Sequence, residues 1–254
     1  MDKGVYLAVS SIKADRLRQQ NQAHEMSNIS TIGFKKAFQV QQSTYRVDVD
    51  GSLSSRFFKV SARLGRVDLT PGPRILTQNP LDIYLEGKGV LGVFNQNGEL
   101  AFTRRGDLRI NAEGTLTNGN GFVIADEGGG DIQFDPALIH RISSEGVIYA
   151  SDPEEEVAEE VEVGRLLLRN ADGIALEKMK DGLLKVEEAD GPGDFAGADE
   201  PVYVSSHGLE GSSVKSYDVL TRMIEIERGY EMKINIIKEL SDLSANAQSL
   251  MQVN

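Results

Sequence analysis

The amino-acid sequence predicts an α+β protein: helices at the N- and C-termini, discontinuous in sequence, form a coiled-coil layer, and a central, mostly antiparallel β domain lies between them. Three observations carry this. From Val219, positions spaced alternately four and three apart are Val219, Met223, Ile226, Tyr230, Lys233, Ile237, Leu240, Ser244, Ala247 and Met251, and eight of these ten are apolar. A 3.5-residue repeat held that long is the seam of a helix that needs a helical partner. At the other terminus Val5, Ala8, Val9 and Ile12 mark one face, and Ala23, Met26 and Ile29 resume it after the polar stretch Arg16 to Gln20, a thinner stripe suited to be the mate. Between the two ends, short apolar runs alternate with glycine-containing turns.

Residues 1–35 are expected to hold the N-terminal helix. Good helix formers dominate from residue 3 to about 28, with no Gly or Pro between Val5 and Ile32, and Gly33 stops the run. Residues 36–76 read as an extended connector with a strand or two: Tyr45, Val47, Val49 and Leu53 alternate, as do Phe58, Val60 and Ala62. Pro71-Gly72-Pro73 then imposes a stiff turn, because proline fixes its own φ and keeps the preceding residue out of helix. Residues 77–206 form the β domain. Its runs, such as Ile83-Tyr84-Leu85, Leu91-Gly92-Val93-Phe94 and Phe122-Val123-Ile124, are punctuated by Asn97-Gly98, Glu113-Gly114, Asn118-Gly119 and Glu145-Gly146, the chemistry of tight β-turns. Residues 207–254 carry the C-terminal helix, with Ser212 or Ser213 as its cap.

Composition excludes several function classes. A net charge of −12 argues against nucleic-acid binding, which draws its affinity from phosphate neutralisation by Lys and Arg. No run of eighteen apolar residues exists, so stable membrane insertion is not expected, and Met1-Asp2-Lys3-Gly4 opens no cleavable signal peptide. Without cysteine there is no disulfide, thiolate metal site or Cys nucleophile.

No residue set points to catalysis, a cofactor or a metal. The acidic run Asp152, Glu154, Glu155, Glu156, Glu159, Glu160 and Glu162 lacks calcium-loop spacing and its internal glycine, and reads as a solvated loop. His24, His140 and His207 are scattered without ligand spacing. Gly87-Lys88-Gly89 lacks the Lys-Ser/Thr pair and following helix of a phosphate loop, and no Gly-x-Ser-x-Gly elbow occurs.

Three stretches carry a resemblance. Asn28-Ile29-Ser30-Thr31-Ile32-Gly33-Phe34-Lys35 is similar to an Asn-x-x-Thr-x-Gly-Phe-Lys signature that closes a first helix. Leu81-Asp82-Ile83-Tyr84-Leu85-Glu86-Gly87-Lys88-Gly89, Phe102-Thr103-Arg104-Arg105-Gly106 and Asn111-Ala112-Glu113-Gly114-Thr115-Leu116 follow in a matching order. Gly208-Leu209-Glu210-Gly211-Ser212-Ser213-Val214, with Met223-Ile224, Arg228, Tyr230-Glu231 and Lys233, completes the series. Together they resemble the bacterial flagellar axial family of rod and hook subunits. Ala23-His24-Glu25-Met26-Ser27, where the family has paired asparagines and an alanine, and Ser213, where it has asparagine, mark a divergent member. Thr70-Pro71-Gly72-Pro73 and Val163-Gly164-Arg165-Leu166 are most similar to the proximal rod branch, with the distal rod branch as the alternative.

The resemblance implies a structural subunit of the basal-body rod, without enzymatic activity. It would be exported through the flagellar secretion apparatus and polymerise with itself and with other rod and hook-type subunits. The expected assembly interface is Val5, Ile12, Asn28, Gly33, Phe34, Val219, Met223, Ile226, Tyr230, Ile237, Leu240 and Met251. Ile234, Ile236, Leu243 and Leu250 fall outside the seam, so more than one neighbour is needed to cover the helix. A rival reading, an adhesin-like or carbohydrate-binding β domain on an oligomerising helical stalk, explains the helix but not Asn28 to Lys35. A β-sandwich hydrolase with paired carboxylates is a more distant one.

Overall fold

The helix formers at both ends do form helices. In the computed structural model, which describes residues 2–37, 41–48, 55–62, 65–135, 138–152, 160–187 and 191–251, α1 spans Asp2–Ser27 and α2 spans Ser216–Met251. The chain divides into two compact units, one of residues 1–27, 39–64 and 215–254, the other of 28–38 and 65–214. That division cuts the expected 36–76 connector and assigns residues 207–214 to the β-rich unit rather than to the helix.

In the first unit α1 and α2 pack on each other. They run antiparallel, since Glu25 meets Arg222 and Asp15 meets Lys233. The connector's alternating residues form a hairpin of β1 (Gln41–Asp48) and β2 (Ser55–Ala62), paired from Gln41↔Ala62 to Asp48↔Ser55. β2 lies against α1. Val49 and Leu53, expected in the first of these strands, are outside the described residues.

The second unit begins with β3 (Arg74–Leu76), β4 (Ile83–Leu85), β5 (Gly89–Phe94), β6 (Leu100–Thr103), β7 (Leu108–Ile110), β8 (Leu116–Asn118) and β9 (Val123–Ile124). It continues with β10 (Ile139–Ile142), β11 (Val147–Ser151), β12 (Val161–Arg165), β13 (Leu168–Asn170), β14 (Leu176–Lys178) and β15 (Leu184–Val186), and ends with β16 (Val204–Ser206) and β17 (Gly208–Glu210). Pairing is antiparallel throughout the described residues. The largest sheet runs β14-β15-β6-β5-β9-β8-β7, with β13 on β5, while β10-β11-β12, β16-β4 and β17-β3 are smaller sheets.

β5 shows why its run is apolar at nearly every position. Leu91 and Val93 enter one core with Leu85, Leu108, Ile124 and Ile148, whereas Val90 enters a second with Val67, Phe102 and Leu184. A strand buried on both faces loses the polar alternation of a half-exposed one.

The turns follow a rule the dipeptide reading only half captured. Asn95 Oδ1 accepts from the backbone N–H of Asn97 and Glu99, Asn111 Oδ1 from Glu113 and Thr115, and Asn118 Oδ1 from Asn120 and Phe122. In each, the residue three after the asparagine is a glycine at positive φ: Gly98, Gly114 and Gly121. The expected pair Asn118-Gly119 is therefore displaced, since Gly121 takes the left-handed position. An Asx side chain organises each turn from its first residue.

His140 on β10 is buried, and its ring meets Phe134 edge-on at 4.4 Å between centroids. Burial lowers its pKa below the ordinary 6.5, against a weaker opposing pull from Asp135. The unfolded chain then binds the proton first, so stability falls as pH drops through about 6.5 toward the lowered folded value. Denaturant midpoints at pH 7.5 and 5.5 should show this loss, and His140→Leu should reduce it. An unchanged pH dependence in the variant refutes the assignment.

Candidate functional site

Glu210 has zero exposure and lies where the three resembling stretches meet. Its Oε1 accepts from Lys35 Nζ at 2.6 Å and from the Gly72 backbone N–H at 2.6 Å, and its Oε2 accepts from Arg104 Nε at 2.7 Å. Other donors of the same cations go to carbonyls. Lys35 donates to Thr70 O at 2.7 Å, and Arg104 donates to Leu85 O at 2.9 Å, to Gly87 O at 3.0 Å and to Gly89 O.

Backbone bonds clamp the same place: Gly33 N–H donates to Glu210 O at 2.7 Å, and Ser213 N–H donates to Phe34 O at 3.0 Å. Neither Ser212 nor Ser213 is the helix cap, since α2 starts at Ser216: Ser212 Oγ accepts from Val214 N–H, and Ser213 Oγ from Lys36 N–H. Burial depresses the Lys35 pKa more than its attraction to Glu210 restores it. Two cations around one buried carboxylate, with their donors directed at the carboxylate and backbone carbonyls, make a fastener. The carboxylate has no approach for a substrate proton.

This places several expected interface residues inside the fold. Phe34 is buried, with Lys178 Nζ 3.8 Å from its ring centroid. Burial lowers Lys178 to about 8, while the ring face attracts the ammonium and opposes that shift. Gly33 fits against the Arg104 backbone, and Asn28 Oδ1 accepts from Thr31 Oγ1 at 3.1 Å. All three hold the chain's own turn after α1.

The α2 positions behave differently. Val219 is buried, and Met223, Ile226, Lys233, Ile237 and Leu240 are half-buried. Tyr230, expected in the seam, is 44% exposed; Gly229 and Lys233 take the covered positions around it. Apolar residues also face solvent elsewhere on the helix, including Leu220, Ile224 (50%), Met232, Ile236 and Leu243 (60%). At 3.6 residues per turn, Ile224 lies roughly opposite the seam, Leu220 and Met232 about 120° from it on either side, and Ile236 and Leu243 beside it.

On α1, Ile12 is half-buried, but Val9 and Ala23 are exposed and the buried residues are Ala14, Asp15, Gln22 and Glu25. The apolar stripe read from the sequence is rotated about a third of a turn from the side that α1 gives α2. The side chains of Val5 and Met251 lie outside the described residues.

Sequence reasoning quoted Lys35, Arg104 and Glu210 inside motifs without assigning them a role. The available signal was local: a charge stands at an inward-facing point of Leu209-Glu210-Gly211 and directly after the buried Phe102-Thr103. Most of the acidic run falls outside the described residues, and Glu160 pairs with Arg141. Among the described residues no cluster of His, Asp and Glu could hold a metal ion, and no helix is long and apolar enough to cross a membrane.

Comparison with known proteins matches residues 84–150 to the flagellar hook protein FlgE/F/G D1 domain and residues 206–250 to the flagellar basal body rod FlgEFG protein C-terminal region. Over 257 residues, covering 100% of both chains, the sequence is 31% identical to the flagellar basal-body rod protein FlgF of Salmonella typhimurium and 30% identical to that of Escherichia coli. It is 24% identical to the flagellar basal-body rod protein FlgG of Caulobacter vibrioides, over 91% of this chain and 92% of the relative. With full-length similarity to FlgF proteins and both family segments in their places at the strands and at α2, the chain belongs to the family of flagellar basal-body rod proteins and is most like FlgF.

Proposed function

We propose that this rod subunit builds the proximal part of the shaft by polymerising through its terminal helices, which form a coiled-coil layer with those of neighbouring copies and of other rod and hook-type subunits. The observation that carries this is the distribution of apolar surface on α2. α1 covers one face, yet Leu220, Ile224, Met232, Ile236 and Leu243 remain exposed on the others. A helix apolar on several sides is one that several neighbours bury. Contacts that repeat without closing produce a tube, the form a torque-transmitting shaft requires.

The full-length FlgF similarity supports the proximal over the distal position. On this reading the subunit leaves through the flagellar export apparatus and takes its place in the rod across the periplasm. Its role is mechanical and uses no catalytic group or cofactor.

The test is a chain carrying Ile224→Asp and Leu243→Asp, returned to a flagellated strain that lacks its own copy. Loss of swimming and of the subunit from purified basal bodies is expected, with the β-rich unit's thermal transition moved by less than about 2 °C, as exposed positions away from its core should allow. Normal swimming with both aspartates present refutes assembly through this surface.

A further inference from the structure

We propose that a polar heptad on α1, paired with two bases on α2, sets the register in which the terminal helices dock. Ser11, Asp15, Arg18, Gln22 and Glu25 recur at alternating spacings of four and three, the a/d pattern of a helix seam, yet none is apolar. Asp15, Gln22 and Glu25 are buried and Ser11 is half-buried. Against Glu25 and Asp15 α2 sets half-buried Arg222 and Lys233. Lys233 donates to Asp15 Oδ2, Arg222 lies 3.9 Å from Glu25, and Arg18 flanks Asp15 at 3.5 Å.

The two cross-helix pairs are ten residues apart on α1 and eleven on α2, which only one antiparallel alignment satisfies. An apolar seam tolerates sliding, because one aliphatic contact replaces another at little loss. Here a slip of one heptad sets Asp15 opposite Ile226 or Leu240 and takes Lys233 from a buried carboxylate, leaving it only the exposed Arg18 of its own helix, and breaking a buried pair in this way is penalised. The polar seam lies about a third of a turn from Val9 and Ala23, the members of the apolar stripe that are exposed. This register is a property of the single chain and holds whether or not it polymerises.

A zero-length carbodiimide cross-link reads the register directly, since it joins a carboxylate to an amine only where the two touch. On the dilute full-length monomer, peptide mass spectrometry should find Asp15 joined to Lys233 within one chain. Glu25→Arg should lower that yield by at least about fivefold, and Glu25→Arg with Arg222→Glu should restore it to within about twofold, as a coupled pair does in a double-mutant cycle. Arg222→Lys, which keeps the charge, should retain the link. A link from Asp15 to another lysine, a link formed only between chains, an undiminished yield in Glu25→Arg, or failure of the double exchange to restore it, whatever its helix content, overturns the proposal.

Discussion

Glu210→Gln is expected to destabilise the β-rich unit by about 3–5 kcal/mol, the loss typical when one partner of a buried ion pair is removed and the other charge stays behind. Here two cations are left behind: Lys35 and Arg104, both almost wholly inaccessible to water, would face a neutral amide whose N–H₂ end competes for the carbonyls they use. For a unit of this size the loss lowers the melting temperature by about 6–20 °C, measured on the full chain with a probe in the β strands. The contrasting variant is Lys35→Met, Arg104→Met and Glu210→Leu together. That variant strands no charge, and its loss comes instead from the Thr70, Leu85, Gly87 and Gly89 carbonyls and the Gly72 N–H that lose their side-chain partners. If Glu210→Gln melts with wild type, the triad is not the fastener of this unit.

Gly33→Ala is expected to be the most damaging single-methyl change in the Asn28 to Lys35 stretch. Gly33 has φ +65, and a Cβ there would stand 2.6 Å from the carbonyl carbon and oxygen of Arg104 and from the backbone nitrogen of Arg105. Those atoms belong to the segment that carries the guanidinium to Glu210 and cannot move without shifting it. Gly98→Ala is the control, at φ +77 with nothing within 4 Å of the added carbon. The control carries only left-handed strain of about 1–2 kcal/mol, whereas Gly33→Ala adds about 1–3 kcal/mol of overpacking. Denaturant midpoints of the two variants in the full chain decide it. Equal losses mean that the Arg104 backbone yields freely and that close approach is not the reason for glycine at this position.

Legibility differed from element to element. Both helices were readable because their patterns repeat within a few turns of one another, and α1 ends at Ser27, close to the expected residue 28. The turns were readable as glycine positions but not as units. Seeing Asn95, Asn111 and Asn118 as organisers requires knowing that a side-chain oxygen spans to backbone donors two and four residues on. The hairpin Gln41–Ala62 was foreshadowed by two alternating runs, while its register depends on how the strands align.

The sequence by itself determined the helical ends, the β-rich middle, the family and the apolar excess of α2, because propensity, period and motif are properties of short windows of chain. Only the tertiary structure decided which charges meet. Lys35 and Arg104 stand 175 and 106 residues from Glu210, and no local pattern tells that their charges meet on it. The same holds for α1: its hydrophobic periodicity pointed to Val9 and Ala23, but the face given to α2 is that of Asp15, Gln22 and Glu25. A helix's burial is set by its partner, and Lys233 and Arg222 meet Asp15 and Glu25 on the face that α1 turns to α2. A single helix's pattern records which residues are apolar, whereas the choice of buried face is a property of the pair.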